Sequence, residues 1–444
     1  MCHRNLTAVV ALLAISSLFS ACTSDTEPGD PNDSDESESP GELLQSSVER
    51  DESPDVGVET AEQAASDNRD FTFDLLQQIQ LEDRQNIFFS PYSISSALAM
   101  TYAGASGGTH DELGDTLRFT VEEEQLHPSF NAVDLDLKTR SEVDTDGDPP
   151  TLNVVNATWA QHDYDFSDAY LDTLALHYGA GLFAVDFKSE PDATRQKINQ
   201  WVEDQTEERI KDLLPPKSIT RGTKMVLTNA IYFMAAWDKE FSDSATSQKP
   251  FTRLDGAEVD VDLMRQNDSF DHYLGDDTHA ISLPYEGKEL SLVALKPADP
   301  ADFEDWEAGL DRIHFDEVLS NMAYGKGTIA LPSFRFEGAY DLKELFEAMG
   351  WTNFGELLRM VDDGGHELEI TDILHKSFID VDEEGTEAAA ATAVVIGDVG
   401  SAPMPPEDDF ELFFDRPFYY AIYDHPTDTI LFMGRLADPT VEAQ

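Results

Sequence analysis

The chain has 444 residues, 41% of them hydrophobic and 10% aromatic, so it can bury a large core and is neither wholly disordered nor collagen-like. Its 29 Lys and Arg face 89 Asp and Glu, a formal net charge of −60 at pH 7 that would repel nucleic acid and anionic membrane surfaces. We therefore predict no nucleic-acid partner, and the acid excess along the whole chain predicts a halophilic protein that stays soluble in concentrated salt.

Residues 1–22 have the composition of a signal peptide. Arg4 precedes an uncharged stretch, 5–21, whose apolar core is too short to span a bilayer. The segment ends Leu-Phe-Ser-Ala-Cys and resembles a bacterial lipoprotein signal, in which the cysteine, here Cys22, is acylated and becomes the new N-terminus. Phe19 departs from that pattern, and the alternative is an ordinary secretory signal cleaved near Ala21. Both predict a protein outside the cytoplasm, secreted or anchored to the membrane only through an N-terminal lipid, without an internal disulfide.

The next segment is rich in acidic residues and poor in apolar ones. Between residues 23 and 60 there are thirteen acidic residues and one Arg, with Ser, Pro and Gly between them. This composition predicts a disordered acidic linker over 23–66. We find no second linker of comparable length, so residues 67–444 are predicted to form a single domain.

Periodicity predicts both helices and strands in that domain. Helical spacing covers 68–79, 93–103, 193–214 and 342–349, the last after the predicted N-cap residue Asp341. Continuous apolar runs are typical of strands covered on both faces. These runs are 152–161, 224–233, 279–284, 290–295, 327–331, 375–381, 418–423 and 429–435. The order of elements predicts one large α+β domain rather than a regular βαβ array.

The segment 382–396 combines a helical composition with a strand-compatible pattern. Its run of four alanines favours a short surface helix by intrinsic propensity. If the segment were extended, however, one face would carry only small or apolar uncharged side chains, and Glu387 would fall on the other face. The residues of that uncharged face are Thr386, Ala388, Ala390, Thr392, Val394 and Ile396. This pattern predicts a strand that could enter a sheet.

The same segment resembles the hinge and reactive-centre loop of the serpins. Other stretches agree: 86–98 and 104–109 are similar to the family's helix B region, 228–233 with Trp237 to its central strand, and 415–435 to its closing strands. The resemblance covers roughly residues 67–440. It implies a single α+β domain of three β-sheets and about nine helices with an exposed reactive-centre loop.

The resemblance also implies a mechanism. A serpin is a serine protease inhibitor that acts as a suicide substrate: the protease cuts the loop, and the cut loop enters the main sheet before the acyl-enzyme is hydrolysed. The hinge would comprise Glu383, Gly385, Thr386, Glu387, Ala388, Ala389, Ala390, Ala391 and Thr392. Because this hinge has no charge or bulky group on its inward face, we predict an inhibitor and not an enzyme. The alternative is a non-inhibitory binding or scaffold protein on the same fold.

By the same resemblance, five residues fall where the central strands must part. Ser93, Ser96, Asn229 and His375 would form the shutter beneath these strands, and Trp237 would mark the top of the sheet where insertion begins. Taken singly, the histidine and tryptophan could be ordinary core residues, and each serine could lie on a helix face. We do not interpret Ser93 and His375 as a catalytic pair, since no acid or oxyanion feature accompanies them.

The position of the cleaved bond is predicted by counting. Seventeen residues from Glu383, the usual family spacing, end at Val399, so Val399–Gly400 is the predicted reactive bond; Met404 is an alternative, but Pro405 follows it. A small aliphatic residue suits a shallow primary pocket, and no Arg or Lys lies between Glu383 and Asp415. We therefore predict an elastase-like or subtilisin-like target rather than a trypsin-like one. We expect a monomer and predict no cofactor and no metal site.

Overall fold

The computed structural model describes residues 41–82, 85–142, 149–362, 368–386 and 408–441. Within these ranges it contains nine α-helices, in agreement with the predicted number. They are α1 (Val58–Glu82), α2 (Pro91–Gly104), α3 (Gly107–Thr116), α4 (Glu123–Lys138), α5 (Asp168–Tyr178), α6 (Pro191–Gln205), α7 (Phe303–Ala308), α8 (Arg312–Ser320) and α9 (Leu342–Met349). No helix in the described ranges combines the length and apolar character that crossing a membrane requires.

The same ranges contain sixteen strands, and all eight predicted strands are among them. They are β1 (Glu42–Leu44), β2 (Ile87–Phe89), β3 (Thr151–Gln161), β4 (Leu182–Val185), β5 (Met225–Ala236), β6 (Ser247–Thr252), β7 (Glu258–Leu274), β8 (Thr278–Pro284), β9 (Leu290–Pro297), β10 (Ala323–Pro332), β11 (Phe334–Asp341), β12 (Ile370–Val381), β13 (Gly385–Thr386), β14 (Phe410–Phe413), β15 (Phe418–Asp424) and β16 (Thr429–Leu436).

Seven strands form one sheet, which we call sheet A, in the order β1-β4-β3-β5-β13-β12-β11. The central strands β5 and β12 run parallel over most of their length. Nearly every residue of β5 is buried, as expected for a strand that is covered on both faces. The centre of sheet A therefore lies in the interior, where two parallel strands run side by side.

The other strands form a second sheet, ordered β14-β10-β7-β8-β9-β15-β16-β2, with β6 paired to β7. The prediction of three sheets is wrong for the described residues, which contain two. The physical reason is β7, whose 17 residues pair with β6 and β10 and then with β8, so one strand joins what would be separate sheets. Strand β7 was not predicted, because charged residues interrupt its apolar pattern.

The core between the two sheets is aromatic. Phe88 stacks on Phe432 with ring centroids 5.1 Å apart, and Phe233 of sheet A contacts the same Phe432 ring. All three rings are at most 1% exposed. This packing fixes β5 against the second sheet.

Helix boundaries were predicted with mixed success. Helix α9 confirms the prediction for 342–349: the Asp341 side chain accepts a hydrogen bond from the Lys343 amide, and Gly350 follows with a φ of 114°. The helix predicted over 193–214 is too long, since α6 ends at Gln205. Beyond it, Glu207 and Glu208 have positive φ angles, so the helix cannot continue. The remaining apolar residues of the predicted range therefore lie in a non-helical segment.

The folded body begins N-terminal to the predicted boundary at residue 67. Strand β1 pairs antiparallel with β4, and α1 begins at Val58, so part of the predicted linker is ordered. The Arg50 side chain anchors this segment, because its Nη2 lies 2.6 Å from Asp134 Oδ2 and its Nε donates to Asn131 Oδ1 at 2.8 Å. Residues 1–40, which include the rest of the predicted linker and Cys22, lie outside the described ranges.

Substitution of Arg50 tests this anchor. The Arg50 side chain is only 12% exposed, and Arg50→Ala removes the donor to the buried Asn131 Oδ1, so it should lower the free energy of unfolding by about 1 to 3 kcal/mol. The control is Arg118→Ala, because the ion pair of Arg118 with Asp74 is solvent-exposed and should contribute less than about 1 kcal/mol. Urea unfolding at constant m-value measures both changes. Equal losses in the two variants would contradict an anchoring role for Arg50.

Candidate functional site

The two central strands of sheet A separate near their C-terminal ends, which we call the top of the sheet. The parallel pairing of β5 with β12 runs from Met225–Ile370 to Tyr232–Phe378 and stops there. Above this point β13 lies between the two strands: Gly385 pairs with Ala236, and Thr386 pairs with both Ala235 and Val381. The hinge residues Gly385 and Thr386, which make up β13, are therefore already part of sheet A.

A tight turn delivers the hinge into this gap. The Asp382 carboxylate accepts hydrogen bonds from the backbone amides of Glu384 and Gly385 at 2.9 and 3.1 Å. At Gly385 a Cβ atom would lie 2.2 Å from the carbonyl oxygen of Ala235, so the close approach of the two strands requires glycine. The sequence at the turn thus sets where β13 enters the sheet.

Trp237 holds the same turn from the side of β5. Its backbone amide donates to the Glu384 carbonyl and its indole Nε1 donates to the Asp382 carbonyl, each at 3.0 Å. Glu383 is held too: its carbonyl accepts from the Phe241 amide at 2.8 Å, and its side chain accepts from Thr246 Oγ1. The structure therefore places Trp237 in direct contact with the hinge, at the top of sheet A.

Burial shifts the titration of the hinge carboxyl groups. The pKa of Asp382 is raised chiefly by burial, and the amides of Glu384 and Gly385 partly oppose this rise. The pKa of Glu384 is also raised by burial, with a further contribution from nearby carboxylates. Mutual repulsion among these acids is a cost that the backbone hydrogen bonds at the turn must offset.

A row of polar side chains crosses three strands below the gap. Asn229 of β5 lies between Asn156 of β3 and His375 of β12 in the strand register. The Asn229 amide group donates to Asn156 Oδ1 and to Ser93 Oγ, and Asn229 Oδ1 is hydrogen-bonded to His375 Nδ1. The contact between Asn229 and His375 spans β5 and β12, so it must break if these strands part.

Helix α2 supports this row from below with its first turn. His375 Nε2 accepts a hydrogen bond from the Ser90 backbone amide at 3.1 Å, and Ser93 Oγ lies 3.1 Å from Asn156 Oδ1. Because Nε2 is an acceptor, the ring proton of the neutral imidazole lies on Nδ1. The structure thus brings Ser93, Asn229 and His375 together as predicted.

The prediction of Ser96 as part of this group is wrong. Ser96 is half-buried and makes no side-chain hydrogen bond to any residue that the structure describes. The helix starts at Pro91, so Ser90 is its N-cap residue and faces the sheet, whereas Ser96 lies almost two turns along the helix. Ser90 was not predicted, although a serine directly before a proline is a typical N-cap signal. Asn156, a polar residue within a predicted buried strand, was not predicted either.

The geometry does not form a hydrolytic site at Ser93 and His375. The Ser93 hydroxyl contacts Asn156 and Asn229, and both ring nitrogens of His375 are already engaged by Asn229 and Ser90. Burial lowers the pKa of His375 to about 3, which keeps the ring neutral in the folded state. These side chains therefore form a buried structural network.

Several predicted site residues lie outside the described ranges. They are Glu387, Ala388, Ala389, Ala390, Ala391, Thr392, Val399, Gly400 and Cys22. Of the predicted hinge, the structure describes only Glu383, Gly385 and Thr386.

The buried imidazole of His375 should make stability fall as the pH is lowered. The unfolded chain takes up a proton near the ordinary pKa of 6.5, but the folded chain does so only near 3, so stability is fully present above pH 6.5 and is lost below it. Between pH 6.5 and 5 the loss should be about 2 kcal/mol. Denaturant unfolding of the wild type and His375→Gln at pH 7, 6 and 5 measures it, with His162→Gln, at an exposed histidine, as control. If wild type and His375→Gln lose stability equally, His375 is not the responsible group.

Comparisons with known proteins agree with this architecture. A family model described as Serpin (serine protease inhibitor) matches residues 66–439. An uncharacterized serpin-like protein of Thermococcus kodakarensis is 38% identical, with 83% of this chain and 84% of that protein covered. The leukocyte elastase inhibitor of Equus caballus is 35% identical, with 85% and 100% covered. The solved structure of tengpin, a thermophilic serpin in its native state, matches with a TM-score of 0.75 at 25% identity, covering 89% of this chain and 97% of that one. The chain therefore belongs to the serpin family.

Proposed function

We propose that this serpin inhibits serine proteases by trapping the acyl-enzyme through insertion of its cut loop into sheet A. The observation that carries the proposal is the position of β13, whose two residues already lie between β5 and β12. The loop that follows β13 would enter the sheet by continuing the same strand. Its distal end, β14, pairs with β10 in the other sheet, so cleavage between the two ends would free the proximal part to move.

The energy balance favours insertion. The parallel pairing of β5 with β12 is given up, but the inserted strand gains a hydrogen-bonded neighbour on each side. A strand of about a dozen residues, at about 0.5 to 1.5 kcal/mol net per hydrogen bond, gains on the order of 10 kcal/mol before apolar burial is counted. That gain is available only after cleavage, which is why the protease itself would trigger its own capture.

The pattern of side chains suits this movement. Thr386 is completely buried in β13, and the two-residue period of a strand would bring Ala388, Ala390 and Thr392 to the same face. A charge at one of these positions would be buried without a partner at a cost of several kcal/mol. The uncharged hinge supports an inhibitor rather than a non-inhibitory relative.

The proposed target follows from the loop sequence. We propose Val399–Gly400 as the reactive bond, with an elastase-like or subtilisin-like protease as partner. The absence of Arg and Lys between Glu383 and Asp415 supports this choice, and a relative with 35% identity is named leukocyte elastase inhibitor. We further propose that the protein is a halophilic, exported monomer, held at the membrane by acylated Cys22 or secreted.

Trapping can be tested on a denaturing gel. Mixed with elastase or subtilisin, the wild type should give a covalent band that survives SDS, and its cleaved form should melt at a higher temperature than the intact chain. Thr386→Arg should give only cleaved loop, because an inward-facing guanidinium stops insertion. The matched control is Glu387→Arg, which would place the same group on the outer face and should still trap. Undiminished trapping by Thr386→Arg, or cleavage of the wild type without a covalent band, would refute the proposed mechanism.

The reactive bond can be located independently. The C-terminal fragment that elastase releases from the wild type should begin at Gly400, as measured by mass spectrometry. Val399→Arg should gain trapping of trypsin and lose most trapping of elastase, because the primary pocket of trypsin requires a basic side chain. A fragment that begins elsewhere, with trypsin still not inhibited by Val399→Arg, would move the reactive bond to another position.

A further inference from the structure

A pair of buried hydroxyl groups joins the hinge to the second sheet. The hydroxyl of Tyr285, the residue after β8, lies 2.7 Å from Oγ1 of Thr386 in β13. Both side chains are 0% exposed. Neither hydroxyl has another hydrogen-bond partner among the residues that the structure describes, so each satisfies the other.

The Tyr285 ring is held rigidly before it meets the hinge. It stacks on Trp237 with centroids 4.6 Å apart and an interplanar angle of 9°, and it meets Phe233 edge to face at 5.0 Å. Its backbone amide donates to the Leu290 carbonyl at 3.0 Å. The hydroxyl of Tyr285 therefore occupies a position fixed by the surrounding core, and Thr386 must come to it.

We propose that Tyr285 is a positioning residue for loop insertion, and that its hydroxyl latches Thr386 in the first inward-facing place of the gap before the loop is cut. This inference rests on the proposed function and adds to it a requirement for a hydroxyl, not merely a small side chain, at the start of the inserted strand. A buried hydroxyl that loses its only partner carries the full cost of desolvation, so withdrawal of the hinge would be penalised on both sides.

The latch would matter most after cleavage, when insertion competes with hydrolysis of the acyl-enzyme. With Thr386 latched, the first residues of the new strand are already ordered, and insertion only extends an existing strand. Without the hydrogen bond, Thr386 can leave the gap, and insertion must first bring it back. More inhibitor molecules would then be cleaved for each protease molecule trapped.

Amide hydrogen exchange of the intact protein tests the latch without any protease. In Tyr285→Phe and in Thr386→Val, which keeps the shape of threonine, exchange of the peptide 382–386 should be about three- to tenfold faster than in wild type. The double variant should be no faster than either single variant, because both remove the same hydrogen bond. Thr386→Ser keeps the hydroxyl group, so its exchange should be as slow as in wild type. Tyr324→Phe, at a tyrosine that is 71% exposed, should also leave the exchange rate at the wild-type value.

The amount of inhibitor consumed per trapped elastase gives the second readout. It should rise in Tyr285→Phe and Thr386→Val and return to the wild-type value in Thr386→Ser. If the wild type traps protease but exchange is equally slow in all variants, or if the two substitutions act additively, the latch is refuted. If the wild type forms no covalent complex, the proposed function fails, and the exchange measurement still decides whether Tyr285 holds the hinge.

Discussion

The parallel pairing of β5 with β12 holds the two halves of sheet A together, and it is the contact that the proposed loop insertion would have to break. The polar network and the hinge both contact these two strands. Asn229 and His375 join the two strands through their side chains, and the first turn of α2 supports both from beneath. At the upper end the pairing has already given way to β13. The sheet is thus closed by a polar contact at its centre and opened by the hinge at its top.

The centre of sheet A is lined by polar side chains and its top by aromatic rings, and each kind of side chain has a different physical effect. At the centre, amide, imidazole and hydroxyl groups can exchange hydrogen bonds as strands separate, so the contact can be broken and replaced. At the top, aromatic rings form a rigid wall: Trp237 and Tyr285 stack in parallel and contact the hinge through Asp382 and Thr386. A rigid entry and an exchangeable centre together would guide a strand into the sheet from one direction.

The chain has few cations, and two of its arginines are buried in ion pairs. Arg140 is 5% exposed and its Nε lies 2.7 Å from Asp424 Oδ1, whose side chain is completely buried. Arg435 is buried to a similar degree and its Nη1 lies 2.6 Å from Glu307 Oε1. Removal of Arg140 would leave the buried Asp424 carboxylate without its cation, which is far more costly than loss of a surface pair. The cations that matter most to this fold are therefore the buried ones.

Local signals in the sequence were sufficient for elements whose structure depends on neighbours along the chain. The Asp341 cap with helix 342–349 and the apolar run that became β5 were both predicted, because capping and burial are properties of short segments. The family resemblance added the fold and the positions of Trp237, Asn229 and His375.

Tertiary structure decided the features that depend on distant residues. Ser90 rather than Ser96 contacts His375 because the start of α2 places the Ser90 backbone amide against β12. The strand β1 pairs with the distant strand β4, and β7 runs as one strand through its pairings with β6, β8 and β10. The contact between Tyr285 and Thr386 joins residues 101 positions apart, and no local sequence pattern predicts it. The sequence by itself determined eight of the strands and the capped helix 342–349. Only packing determined which hydroxyls, amides and rings meet at the candidate site, because a buried polar group takes its partner from whatever the fold brings within reach.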